Sequence, residues 1–122
     1  MGNEITVGGS LAYSDADGSQ FEIALSGLLA TAGSKKFVRA RQNIGTTEEA
    51  IGLGEVTSPG WGIFVNRDAT NFIHLRVGTG GSRFARLRPG KFAILELGAD
   101  ITAPFAIADT GACDMDYAIV SA

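Results

Sequence analysis

Apolar residues in this chain recur at every second position, in short runs that turn residues cut again and again. Phe21, Ile23 and Leu25 alternate with Glu22, Ala24 and Ser26. Cys113, Met115, Tyr117 and Ile119 alternate with Asp114, Asp116, Ala118 and Val120. Phe37, Arg39 and Arg41 alternate with Val38 and Ala40, and Ile73, Leu75 and Val77 with Phe72, His74 and Arg76. Side chains of a strand point to opposite faces in turn, so a period of two is the signature of strands and not of helices. The cuts fall at Asp15-Ala16-Asp17-Gly18, Ala32-Gly33-Ser34, Ser58-Pro59-Gly60, Asn66 to Asn71, Gly78 to Ser82, Pro89-Gly90, Gly98-Ala99-Asp100 and Asp109-Thr110-Gly111. The 17 glycines are about twice the usual share of roughly 7%, which suits a chain with many tight reversals.

These signals predict strands over 4–13, 20–29, 35–42, 61–66, 72–78, 83–88, 91–97, 104–108 and 113–120. From Trp61 to Glu96 the runs read as consecutive hairpins. Thr46 or Thr47 can cap one helical turn holding Glu48 and Glu49, with an irregular loop as the alternative. Leu28-Leu29-Ala30 is a second place where helical continuation is conceivable, although Gly27 and Gly33 oppose a long helix. The expected architecture is all-β: an antiparallel, jelly-roll-like β-sandwich of 7–9 short strands, with a small β-barrel as the alternative. The 122 residues fit one domain spanning 1–122, with the acidic, turn-rich 1–20 as an extended N-terminal arm.

Charge is segregated. All ten Lys and Arg lie between Lys35 and Lys91, a window that nets +6. Residues 1–34 carry four acids and no base, and residues 92–122 carry five acids and no base. A basic middle with acidic ends can pair within the fold or between copies. Cys113 is the only cysteine, so no intrachain disulfide and no Cys-based zinc site is available. No apolar run is long enough to span a bilayer, and the N-terminus has no basic start followed by an apolar run, so neither a membrane partner nor a secretory leader is expected.

Residues able to do chemistry are few. His74 is the only histidine and has no identifiable acid or base partner, so it reads as a surface or structural residue. Asp15/Asp17 and Asp114/Asp116 are spaced so that each pair shares a strand face, a pattern compatible with acid–base work or a hard cation. The first pair is also good turn chemistry, and the second suits a solvated strand face. Cys113 sits in the core-facing register of its strand, where a thiol is inert. Gly78 to Ser82 lacks the Lys and following helix of a phosphate loop. No catalytic, cofactor-binding or metal-binding residue is assigned, no cofactor or small-molecule substrate is expected, and the chain is expected not to be an enzyme.

The candidate interface residues are Arg39, Arg41, Arg83, Arg86, Arg88 and Trp61. The arginines can serve nucleic acid, but a sequence pI near 5.0 opposes that, because phosphate neutralisation drives most such binding. Arginine also suits bidentate pairing with carboxylates at protein interfaces. Trp61 reads first as a core anchor, with an exposed platform for sugar or protein as the alternative.

Two runs carry a wider pattern. Gly60-Trp61-Gly62-Ile63-Phe64-Val65-Asn66-Arg67-Asp68-Ala69-Thr70-Asn71-Phe72-Ile73 gives a strand, an Asn-x-Asp-Ala-Thr-Asn loop and a strand. Arg83 to Leu95 gives a strand, Leu87-Arg88-Pro89-Gly90-Lys91-Phe92, and a strand. Over roughly residues 55–120 the chain resembles small β-sandwich virion proteins of tailed bacteriophages, of the capsid decoration or cement type. The resemblance implies a non-enzymatic structural protein that bridges and stabilises shell subunits. Its partners would be the major capsid protein and copies of itself, and its place the capsid surface after synthesis in the host cytoplasm. A tail or head–tail component and a carbohydrate-binding β-sandwich are the alternatives.

Overall fold

The alternation of residues 113–121 is realised without a break. Cys113, Met115, Tyr117, Ile119 and Ser121 are buried, while the four residues between them face outward. The structure, a computed structural model, describes residues 4–31, 36–78, 80–98 and 104–122. The Ala32–Ser34 turn and most of the Gly98–Asp100 turn lie outside the described residues. Among the described residues there is no helix; the chain is all-β, with ten strands in antiparallel sheets. It divides into two compact units, Met1–Gly33 and Ser34–Ala122.

The first unit is one long hairpin of β1 (Glu4–Ser14) and β2 (Gln20–Thr31), including Leu28-Leu29-Ala30 as strand and not helix. The Asp15–Gly18 turn closes it as its residue types predict. Asp15 Oδ1 accepts the backbone N–H groups of Asp17 and Ser19, and Gly18 takes a φ of 89°.

The second unit holds eight strands: β3 (Phe37–Ile44), β4 (Glu49–Ala50), β5 (Pro59–Asn66), β6 (Ile73–Arg76), β7 (Arg83–Leu87), β8 (Phe92–Glu96), β9 (Phe105–Ala108) and β10 (Cys113–Ser121). They form two four-stranded sheets, ordered β3-β10-β5-β8 and β4-β9-β6-β7. The pairs are nested: β3 with β10, β4 with β9, β5 with β8, β6 with β7. This is the strand order of a jelly-roll sandwich. Both sheets feed one core: Ile44, Phe64, Met115 and Ile119 come from the first, and Ile73, Leu75, Leu87 and Ala106 from the second. Tyr117 closes one side, its hydroxyl donating to Gly52 O at 2.6 Å.

Three local expectations are corrected. The helical turn at Thr46–Glu49 is absent; Glu49 and Ala50 pair with Ala106 and Phe105 as β4. The Glu49 carboxylate accepts the Gly45 N–H and the Gln42 amide, which holds the segment as a loop and a short edge strand. Pro59 opens β5 instead of sitting in the preceding turn, a place where a strand tolerates proline. The adjoining Gly60 lies so close to Ala122 that a Cβ would stand 3.0 Å from its backbone. Lastly, Trp61 to Glu96 is not a meander. Only β6 and β7 form a hairpin between neighbours in sequence; the chain crosses between sheets after β5 and returns after β7.

A single buried side chain links those two crossings. Asn66, fully buried at the end of β5, donates through Nδ2 to Asn71 O at 2.8 Å and Leu87 O at 2.9 Å. Its Oδ1 accepts the Asp68 N–H. Its backbone N–H donates to Lys91 O, and its carbonyl accepts the Gly90 N–H, where Gly90 turns with a φ of 75°. Asp68 holds the outer part of the loop by accepting the N–H groups of Asn71 and Thr70. Those bonds favour its charged form and lower its pKa. Replacing Asn66 by Ala strands two carbonyls and one N–H in or near the core. The expected loss is about 2–4 kcal/mol of unfolding free energy, read from urea denaturation. A loss under about 1 kcal/mol would show that the crossings do not depend on this side chain.

Candidate protein-binding surfaces

The hairpin of the first unit is amphipathic across its thickness. Leu11 pairs with Ile23 and Tyr13 with Phe21, which puts all four on one face. The other face holds Ser10, Ala12, Ser14, Gln20, Glu22 and Ala24. The Tyr13 and Phe21 rings stack, with centroids 5.9 Å apart. Leu11, Tyr13, Phe21 and Ile23 are nonetheless 51–64% exposed. A two-stranded sheet has no second layer of its own to cover such a face.

In the second unit, Val77 and Phe84 are exposed at the β4-β9-β6-β7 sheet, and the outward face of the β3-β10-β5-β8 sheet carries exposed apolar side chains. Phe37, Phe92 and Ile94 are 65%, 62% and 40% exposed, with Ile63, Val65 and Val120 half-buried between them. At its centre is an open depression lined by Arg39, Ile63, Val65, Arg67, Asp116 and Ala118, among others. Arg41 Nε lies 2.6 Å from Asp116 Oδ1, and Arg67 Nε 2.9 Å from Asp116 Oδ2. The hydrogen bonds from Arg41 and then Arg67 hold the Asp116 carboxyl well below the usual carboxylate range. Asp114 accepts from the Asn43 amide. Among the described residues Arg39 has no carboxylate partner.

The outward face of the β4-β9-β6-β7 sheet is cationic. His74 stands opposite Arg86 on β7 and Ile107 on β9. The Arg86 guanidinium lies over the Phe72 ring, 5.3 Å from its centroid. Arg76 is engaged by Glu48 at 3.0 Å, and Glu48 also accepts the Gly80 N–H, tying down the β6–β7 connection. The His74 pKa is lowered, first by burial, then by the positive charge of Arg83, with Arg86 adding to it and Asp109 opposing.

The candidate residues therefore fall on two surfaces. Arg39, Arg41 and Trp61 belong to the outward face of one sheet. Arg83 and Arg86 belong to β7 of the other sheet, and the exposed Arg88 follows it. Trp61 is not a core anchor; it is half-buried in the outward register of β5, opposite Glu96. Its Nε1–H is enclosed without a hydrogen-bond partner among the described residues.

Sequence reasoning missed Leu11, Tyr13, Phe21 and Ile23 as a surface, together with Arg67, Phe92 and Ile94. For the hairpin, alternation shows one apolar face but not that nothing covers it.

Cys113 is fully buried, its thiol donating toward Gly111 O and Phe72 O. Burial, with Asp68 and Asp114 nearby, pushes its pKa up to about 11. Among the described residues no group of three or more His, Cys, Asp or Glu is placed to hold a metal ion, and no helix is long and apolar enough to cross a membrane. No protein-family model, curated protein or solved structure matches the chain.

Two titrations follow from these surroundings. At pH 8 roughly one Cys113 thiol in a thousand is ionised, and it is enclosed. Iodoacetamide should leave the folded protein unlabelled over hours and modify it promptly in urea; labelling at equal rates would contradict the burial. His74 should titrate below its usual value of about 6.5 in an NMR pH series, and Arg83→Ala should move the midpoint upward by removing a like charge. Because the unfolded chain takes this proton more readily, the His74 contribution to stability is present above the unfolded pKa and declines as pH falls below it.

Proposed function

We propose that this protein is a non-enzymatic structural component of a virus particle, a capsid decoration or cement protein that bridges shell subunits. The observation that carries the reading is the pair of uncovered apolar faces, one on the hairpin and one on a flat sheet, in a chain of 122 residues. Contiguous exposed apolar area rimmed by charge is the mark of a surface meant for another protein. The depression on the sheet is shallow and open rather than a cleft that would enclose a substrate. The jelly roll is a fold used by viral capsid proteins, a fold-level analogy that agrees with the resemblance of residues 55–120. The partners under this reading are the major capsid protein and copies of this chain, at the capsid surface, after synthesis in the host cytoplasm.

Arg83, Arg86 and Arg88 supply the electrostatic half of the attachment. They have no carboxylate partners among the described residues and suit an acidic shell surface. Two measurements test this. Imaging of intact particles with the chain localised should find it in many copies on the shell, at two-fold or three-fold positions. A few copies at a single vertex would instead make it a tail or head–tail component. Release from isolated shells should become easier as salt rises from about 0.05 to 0.5 M, since exposed charge pairs are screened over that range. Salt-independent release would remove the arginines from the attachment. Deletion of residues 1–18 should weaken shell binding, and unchanged binding would exclude that segment from it.

A further inference from the structure

We propose that His74, Arg83 and Arg86, on the outward face of the β4-β9-β6-β7 sheet, form a site for clustered carboxylates in which His74 takes a proton from solvent as the acidic partner binds. The inference deepens the attachment reading, on which it rests for the nature of the partner, and adds to it a dependence on pH.

The site begins with the ladder between β6 and β7. It twice sets two basic side chains opposite each other: Arg76 faces Arg83, and His74 faces Arg86. Directly opposed side chains stand about 5 Å apart at Cβ, where like charges repel. The fold resolves the first pair itself, because Glu48 lies 3.0 Å from Arg76. The second pair has no such carboxylate. The exposed Arg83 and Arg86 form no ion pair among the described residues. His74 makes no hydrogen bond among the described residues, so its ring N–H is uncommitted. Arg86 is already held in place, its guanidinium 5.3 Å from the Phe72 ring centroid. Less side-chain freedom is then lost when a ligand arrives.

The ligand class follows from what the second unit does with its other arginines. Asp116 joins Arg41 and Arg67, and Glu48 takes Arg76. Each is a carboxylate meeting a guanidinium, the pairing for which that side chain is shaped. Arg83, Arg86 and a protonated His74 make three cations, with Asp109 beside them as an acid. That suits the few carboxylates of an acidic protein segment and falls short of the basic track that a nucleic-acid strand follows.

The proton enters through His74. Burial first, then Arg83 and also Arg86 from β7, disfavour its charged form; Asp109, just beyond β9, favours it. Ile107, its neighbour on β9, is uncharged, and Arg76 on its own strand is taken by Glu48. A carboxylate seated between His74 and Arg86 reverses the balance, since an opposite charge at that range favours the imidazolium. A ligand that raises the pKa binds the protonated chain more tightly by the same factor. A rise of about half a unit is a gain of about threefold in affinity.

The probe is a hexa-aspartate peptide added to the full-length chain in about 20 mM salt, with the His74 ring followed by NMR from about pH 5 to pH 8. Saturating peptide should raise the His74 midpoint by at least about half a unit. Arg83→Ala with Arg86→Ala should weaken peptide binding about tenfold with far-ultraviolet circular dichroism unchanged, and Arg83→Ala alone should weaken it about threefold. His74→Asn should bind as the unmodified chain does at about pH 8 and lose the added tightening near pH 5; this comparison cancels the titration of the peptide itself. The inference is overturned if the midpoint stays or falls, if the arginine variants bind normally, or if His74→Asn keeps the full pH dependence. A thymidine hexanucleotide that binds more tightly than the peptide overturns the choice of carboxylates. Shell attachment is measured separately. Peptide binding with the expected shift but no shell attachment would sink the cement reading alone, and shell attachment without the shift would sink this inference alone.

Discussion

The buried Asn66 side chain is the constraint on which the second unit depends. Nested pairing of β3 with β10 through β6 with β7 requires the chain to cross between the two sheets twice in the stretch from β5 to β8. Each crossing breaks the ladders and leaves backbone polar groups next to the core. Asn66 answers both at once: its amide serves Asn71 O and Leu87 O, its oxygen serves Asp68 N–H, and its main chain binds Lys91 and Gly90. Asn is the side chain that offers two donors and an acceptor without charge. An apolar residue of equal volume would fill the space and strand the same groups. The Pro89-Gly90 turn and the Asn66–Asn71 loop, far apart in sequence, are thereby one structural unit.

Local information in the sequence carried most of the elements. A period of two, with Gly, Pro, Asn and Asp between the runs, placed nine of the ten strands, because the pleat and the turn residues act within a few positions. Pairing is not local. Nothing between Trp61 and Glu96 distinguishes a meander from nested strands, since both need the same alternation and the same turns. What decides is which faces bury against the opposite sheet, a property of the whole unit. β4 was illegible for a related reason. Two residues have no period, and Thr46-Thr47-Glu48-Glu49 has helix-start chemistry that β9 overrides by offering Ala106 and Phe105 as partners.

The same division holds for the surfaces. The segregation of charge along the chain was visible at once, and the structure converts it into the geography of the two units: net −4 for residues 1–33 and +1 for residues 34–122. The grouping of the arginines was not visible. Arg39 and Arg41 come with Arg67, which sequence placed in a loop, because Asp116 draws Arg41 and Arg67 to one carboxylate. Arg83 and Arg86 lie on the other sheet, where their charge is felt by His74 instead.

Edges and faces of the second unit are treated differently. Open sheet edges invite strand pairing with other chains, and charged side chains or very short edge strands suppress it. β3 carries Arg39 and Arg41, β7 carries Arg83 and Arg86, and β4 has only two residues. Three of the four edge strands thus have such protection, while Phe37, Phe92 and Ile94 stand open on the face of a sheet. Protection at the edges beside exposure on the face disfavours strand addition and leaves side-chain packing as the contact such a surface can offer. Packing of that kind depends on shape and register. It selects a specific partner where bare backbone edges would accept any extended chain.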